Sequence, residues 1–357
     1  MRRCLLLLSL ATLALGAGVC PGAVRWSDIL GQPAEWDGGA EARAIVANVL
    51  LYQSPEGGWP KNTDMTVPPS AEFLAHSEAD RRAPTIDNQA TTTQLTLLAR
   101  VIAAGEAAPA LRAAFERGFD YLLAAQYENG GWPQFFPRRP GYYSHITYND
   151  NAMVNVLTLL RDAAQGKAPF AFVDETRRAR AATAVEKGIA CILRTQVRQD
   201  GRLTAWCAQH DEVTFAPAWA RKFEPPSLSG QESVGIVQFL MSVPKPSPEI
   251  IAAVEGAVAW FGQVKMTGVR EDHPPAPALP HKHDRVLVAD PSAPPLWARF
   301  YELGTNRPIY TGRDAIIRYN LAEIEPERRG GYAYVGTWPA ALLEQDYPRW
   351  RRKHNLP

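Results

Sequence analysis

Cysteine is scarce: the sequence holds four in 357 residues. Cys4 and Cys20 lie at its start, so only Cys191 and Cys207 belong to the body of the chain. One disulfide is the most they can form, and the apolar helical pattern around Cys191 favours two buried thiols instead. No Cys/His spacing suits zinc. An excess of either charge is also missing. The formal net charge is +1, which gives no global field for nucleic acid or an anionic membrane surface. A polyanionic partner must therefore meet a local cluster of cations. After the first residues, no apolar run is long enough to span a bilayer. The start itself reads as a secretory signal, with Arg2 and Arg3 ahead of the apolar stretch Leu5 to Ala17. The expected division is residues 1–23 as signal and residues 24–357 as one mature domain, periplasmic or secreted.

Tryptophan and proline, by contrast, are plentiful, with ten and thirty copies. Indoles fill cores, and they also stack on flat sugar faces. The chain repeats itself with a period of about seventy residues. Phe115 to Gly118, Val185 to Gly188 and Val254 to Gly256 open similar amphipathic stretches, and Glu41 to Gln53 is an earlier copy. The early copies run into turns: Gly57-Gly58-Trp59-Pro60-Lys61-Asn62, Gly130-Gly131-Trp132-Pro133, and Gly201 followed by Trp206. A second helix follows each turn, opened by Asp87-Asn88, by Asp150-Asn151, and by Ser229. A unit of helix, turn, loop and helix stacks around a common core. The expected fold is all-α, an incomplete α/α toroid of about three helix-hairpin repeats with long irregular loops gathered at one end.

Asp87 and Asp150 hold equivalent places in this scheme. Two carboxylates side by side form an acid/base pair or a site for a hard cation such as calcium. Equally, both are ordinary helix N-caps. The third repeat brings the loop Thr204 to Gly230 to the same end, carrying His210, Asp211, Glu212, Arg221, Lys222 and Glu224 among aromatics. A loop so long and so charged is usually functional. Lys61, Arg221, Lys222, Arg299 and Arg313 supply cations, and arginine forks suit carboxylates. Arg299 and Arg313 have a plainer reading, in pairs with Glu302 and Asp314 on a helix face. His281, His283 and Asp284, in the Pro-rich stretch Lys265 to Pro295, offer a possible metal site, though a solvated loop is the simpler reading. Carboxylates, a hard metal and arginines together point to a polyuronate substrate.

The motifs GGWPKN (57–62), TIDNQAT (85–91), NGGWPQFFP (129–137), HITYNDNAM (145–153), TAWCAQHD (204–211), ARKFEPPSLSGQES (220–233) and ARFYELGTNRPIYTGRD (298–314) resemble polysaccharide lyase family 10, the pectate lyases. The resemblance runs from about Trp26 to about Trp350, with no separate carbohydrate-binding module. It implies that residues 24–357 form a pectate lyase catalytic domain. The activity it implies is cleavage of α-1,4-linked polygalacturonate by calcium-assisted anti β-elimination, giving 4,5-unsaturated oligogalacturonates. It makes Arg221 the catalytic base and Asp87 and Asp150 the calcium ligands. Arg299 and Arg313 become grips on substrate carboxylates, with Asn88 and Lys61 as further substrate contacts. The expected protein is a monomer with pectate as its partner and no nucleic-acid or membrane partner. Arginine is an awkward base, normally always protonated. Calcium, Lys222 and burial against Trp219 and Phe223 are expected to ease its deprotonation. An inverting glycoside hydrolase using Asp87 and Asp150 without metal and a non-catalytic pectin-binding protein are the alternatives.

Overall fold

A computed structural model describes residues 24–76, 82–106 and 108–356. The expected signal, residues 1–23, lies outside the described residues. The helices are α1 (Ala34–Asp37), α2 (Ala40–Leu51), α3 (Ala71–Ala75), α4 (Thr92–Ala103), α5 (Pro109–Ala124), α6 (Ala152–Ala164), α7 (Glu175–Thr195), α8 (Glu232–Met241), α9 (Pro248–Val264), α10 (Pro326–Gly330) and α11 (Tyr347–Lys353). The hairpins α4–α5, α6–α7 and α8–α9 pack internally. Their members also line up in two rows, α2–α5–α7–α9 and α4–α6–α8. The repeat reading is therefore sound for the helical half of the molecule.

Side-chain chemistry explains the repeat. Trp59, Trp132 and Trp206 are fully buried. Each indole N–H donates to a helix carbonyl, of Val49, Leu122 and Ile192 respectively. None of the three offers a face to sugar. Helix glycines make room for two of them: a Cβ on Gly118 would strike the Trp59 ring at 2.6 Å, and one on Gly188 would meet the Trp132 ring at 3.3 Å and Leu157 at 2.4 Å. A glutamine just after α2, α5 and α7 ties one unit to the next. The Nε2 of Gln53 donates to Gly57 O and to Ala114 O in α5. Gln126 repeats this with Gly130 and Ala184, and Gln196 with Thr204 and Ala253. An amide, partly buried in Gln53 and Gln126 and buried in Gln196, that bonds its own turn and the neighbouring helix fixes the stacking register.

The all-α expectation is wrong. About 46% of the described residues are helical, and twelve short strands form five antiparallel sheets among them. The strands are β1 (Ile146–Thr147), β2 (Arg198–Gln199), β3 (Arg202–Leu203), β4 (Gln209–His210), β5 (Leu228–Ser229), β6 (Val269–Asp272), β7 (Val286–Ala289), β8 (Trp297–Ala298), β9 (Phe300–Tyr301), β10 (Pro308–Thr311), β11 (Ile317–Arg318) and β12 (Val335–Gly336). The sheet β11-β10-β9-β5 stitches the last third of the chain to the loop before α8, pairing Ser229 with Phe300. The stretch after α9 is rich in β-formers broken by Gly and Pro. That is strand and hairpin chemistry, which the helical period of the first repeats overshadowed. A second core of Phe223, Phe300, Ile309, Tyr310, Tyr332 and Tyr334 fills this part.

Lys265 to Pro295 is also more ordered than expected, since β6 and β7 form a hairpin there. Asp284 receives a bidentate fork from Arg329, 2.7 and 2.5 Å, so it serves structure. Cys191 and Cys207 are buried and free. Among the described residues, no helix is long and apolar enough to cross a membrane.

Candidate active site

Two matching turns build the acidic end of the site. Asp87-Asn88-Gln89 and Asn149-Asp150-Asn151 each form one turn of 3-10 helix, and the two turns pack together. Their equivalence is shifted by one residue from the sequence reading. Asn88, at φ 50°, ψ 40°, matches Asp150, at φ 50°, ψ 33°. Asp87 therefore matches Asn149. Neither aspartate caps a helix: the residues in that place are Thr91 for α4 and Asn151 for α6. Left-handed backbone is tolerated by Asn and Asp because their short polar groups bond locally. Gln89 and Thr91, at φ 61° and 64°, continue the strained run. Thr91 is held there by its buried hydroxyl, which accepts from Trp59 N and donates to Thr85 O. Such over-determined strain is typical of functional turns.

Asp87 is buried, and its Oδ2 takes the Lys61 ammonium at 2.5 Å. Its Oδ1 is buried without a hydrogen-bond partner. Asn88 is exposed and donates to Asn62 Oδ1. Burial, opposed by Arg299 and joined by the charges of Glu232 and Asp87, raises the pKa of Asp150 above its ordinary value. Glu232 is a third carboxylate that sequence reasoning overlooked. It sits at the start of α8, fully buried, and receives Arg299 Nη2 at 2.6 Å and the Ser229 hydroxyl. The same Nη2 reaches Asp150 Oδ1 at 3.5 Å. Its place at the head of the third repeat's second helix was the available signal. Because Glu232 aims Arg299, Glu232→Gln is expected to lower kcat/KM about 10- to 100-fold, the usual cost of losing a residue that orients a site group. Steady-state kinetics beside a thermal melt would separate this from a general loss of fold.

The basic end is organised on two rings. Phe223 and Tyr332 pack edge to face, 5.5 Å between centroids. Arg221 lies 4.7 Å and Arg313 5.8 Å from the Phe223 centroid, and Arg299 lies 4.7 Å from that of Tyr332. Glu224 grips Arg221 in a fork of 2.9 and 2.6 Å, and its Oε1 also accepts from the Tyr332 hydroxyl. Burial pulls the Arg221 pKa down, but the Glu224 bonds and charge outweigh it and hold the guanidinium above its ordinary value. Burial and the Phe223 ring are present as expected, but Trp219 is 40% exposed and the paired glutamate outweighs the easing. Arg313 forks onto Glu327 rather than Asp314, which Arg318 takes instead. A cavity of about 610 Å³ beside Lys61 is lined by Phe135, Arg139, Tyr143 and Tyr52 among others.

His210 and Asp211 belong to the scaffold. His210 is fully buried, with Nδ1 donating to Phe215 O and Nε2 accepting from Cys207 N, so its partners fix a neutral tautomer. Burial lowers its pKa from 6.5 to about 4. The unfolded chain therefore takes up this proton near pH 6.5, while the fold resists it down to about 4. The stability it confers is complete above that window and drains as pH falls through it, by about 3 kcal/mol. Urea unfolding at stepped pH should show this loss, and His210→Gln should flatten it. Asp211 Oδ1 closes a turn onto Val213 N and Thr214 N. With His145 and Glu212 it makes a cluster whose ligand atoms lie within 4.8 Å, and His145 Nδ1 already pairs with Glu212 at 3.1 Å.

The family described as pectic acid lyase matches residues 53–343. The chain belongs to this family. Two solved structures agree with it. A family 10 polysaccharide lyase from Cellvibrio cellulosa is 35% identical, with a TM-score of 0.75, over 92% of this chain and 98% of that one. A point mutant of the Cellvibrio cellulosa lyase in complex with trigalacturonic acid is likewise 35% identical, with a TM-score of 0.74, over 90% and 98%. No curated protein matches. The protein is a polysaccharide lyase with pectate lyase activity. The mixed helical and stranded fold agrees with these relatives and not with a pure helical toroid.

Proposed function

We propose that this pectate lyase cleaves α-1,4-linked polygalacturonate by calcium-assisted anti β-elimination, with Arg221 as base. One observation carries the reading. Arg299 touches Asp150 and the Tyr332 ring, and the Tyr332 hydroxyl bonds to Glu224, the partner of Arg221. The acidic turns and the base candidate thus belong to one continuous site.

The acidic end fits a hard cation. Asp87 Oδ1 is a buried oxygen without a hydrogen-bond partner, and Asp150 carries a charge that its surroundings resist. Both are relieved by an oxygen-seeking divalent ion. Asp87 and Asp150 would hold it with the substrate carboxylate, and when bound it supplies charge stabilisation for the enolate-like state at C5–C6. Arg299 and Arg313 hold substrate carboxylates, and Lys61 and Asn88 line the approach. Neutral Arg221 accepts the C5 proton. The C5–H electron pair becomes the C4=C5 double bond, and the C4–O bond pair leaves with the glycosidic oxygen, which takes a proton from water. A periplasmic or secreted site of action, as a monomer, suits a polymeric substrate.

The test is ultraviolet absorbance during digestion of polygalacturonate, with a chelator and then with calcium restored. Absorbance that rises, stops on chelation and resumes with calcium is expected. Cleavage that continues unchanged in chelator would overturn the calcium role, and chain shortening without absorbance would overturn elimination.

A further inference from the structure

Four arginines meet the Phe223–Tyr332 ring pair, and one of them stands apart. Arg221, Arg299 and Arg313 are each held by a carboxylate, Glu224, Glu232 and Glu327. Arg328 lies 4.4 Å from the Phe223 centroid and 4.4 Å from that of Tyr332. It is 8% exposed. Its Nη2 donates to Gly331 O at 3.1 Å, and its Nε is buried without a hydrogen-bond partner. No carboxylate pairs with it among the described residues. Its chain neighbour Arg329, equally buried, does have one in Asp284. A buried cation without a counter-charge is costly, and ring faces repay only part of that. A fold that keeps such a group next to a charged site gains from its field there.

We propose that Arg328 is a positioning residue for the proton transfer, a cation without a carboxylate partner packed on the rings that carry Arg221, whose like charge makes proton release from Arg221 easier. The inference rests on Arg221 being the base. Arg221 is faced by Glu224, Tyr332 and Tyr142, and Arg328 by Tyr332, Tyr334, Arg313 and Arg221, with the Glu327 carboxylate within reach of its charge but forked onto Arg313. Glu224 thus stabilises the protonated guanidinium, and the like charge of Arg328 opposes it. Burial first, then the charges of Arg313 and Arg221, set the Arg328 pKa below its ordinary value, as mutual repulsion requires.

The test compares Arg328→Met and Arg328→Lys with wild type in kcat–pH curves on polygalacturonate at saturating calcium. Arg328→Met is expected to displace the rising limb toward higher pH by about one unit, seen as about tenfold lower kcat at a fixed pH on the limb, with KM changed less than about threefold. Arg328→Lys, which keeps the charge, is expected to restore the wild-type limb. If Arg328→Met does not fold, Arg328→Gln, which retains a donor for Gly331, carries the same comparison. An unmoved limb, or equal losses in the neutral and lysine variants, overturns the inference. Arg221→Ala serves as the separating control. If it stays active, the base assignment has failed; if it is inactive while the Arg328 limb is unmoved, only the role of Arg328 has failed.

Discussion

Arg221→Lys is expected to lose about 100- to 10,000-fold in kcat on polygalacturonate, the contribution of a positioned general base, while its melting temperature stays near wild type. The reasons lie in the geometry. Arg221 is about half exposed and belongs to the Glu224 fork, so its removal leaves no large cavity. Lysine would keep a positive charge near Phe223, but it cannot make the two-pronged contact or present a planar guanidinium edge. A residue whose role was only to attract the polyanion would tolerate the change with a modest rise in KM. The same geometry sets the pH dependence. Glu224 holds Arg221 above its ordinary pKa, so the neutral fraction is small and grows as pH rises. Activity is expected to climb steadily through the alkaline range. An activity maximum near neutrality, or Arg221→Lys close to wild type, would count against the base.

Asp150→Asn is expected to lower kcat/KM by about 100- to 1,000-fold, comparable to removing one preorganised electrostatic contact to a developing charge, and to abolish most of the response to added calcium. Its stability should move the other way. Burial and the charges of Glu232 and Asp87 work against ionised Asp150, despite Arg299. A neutral isostere removes that repulsion, so the variant should melt no lower than wild type. Loss of activity without loss of stability marks a residue kept for function. The raised pKa also predicts that wild type needs more calcium as pH falls, because Asp150 is protonated sooner than an ordinary aspartate. Calcium titrations at several pH values, with the variant alongside, would check this. A variant restored fully by excess calcium would show that Asp150 is dispensable as a ligand.

Much of the helical half was legible because its repeats write their contacts into the sequence. The Gln–Gly–Gly–Trp pattern corresponds to the amide and indole bonds that join one unit to the next. The strands were missed because most have two residues, too short for alternation to register. The structure brings Asp87 and Asp150 to neighbouring turns, though not through the N-caps that the spacing implied. The Asp-Asn and Asn-Asp-Asn steps serve left-handed turns rather than N-caps, and that moves the register by one. Glu224 and Glu232 were less visible. Each gains its meaning from a distant partner, Tyr332 and Arg299, and no local spacing reveals such a contact. Arg328 was hidden in the same way, since the lack of a carboxylate partner can be seen only in three dimensions.

The central claim is elimination at the site joining Asp150, Arg299, Glu224 and Arg221. The mass of the products tests it most directly. Polygalacturonate oligomers of defined length, digested with calcium, should give fragment pairs whose masses sum to that of the substrate, one member being lighter than a saturated oligomer by one water. Fragment pairs that instead sum to the substrate plus one water would contradict it.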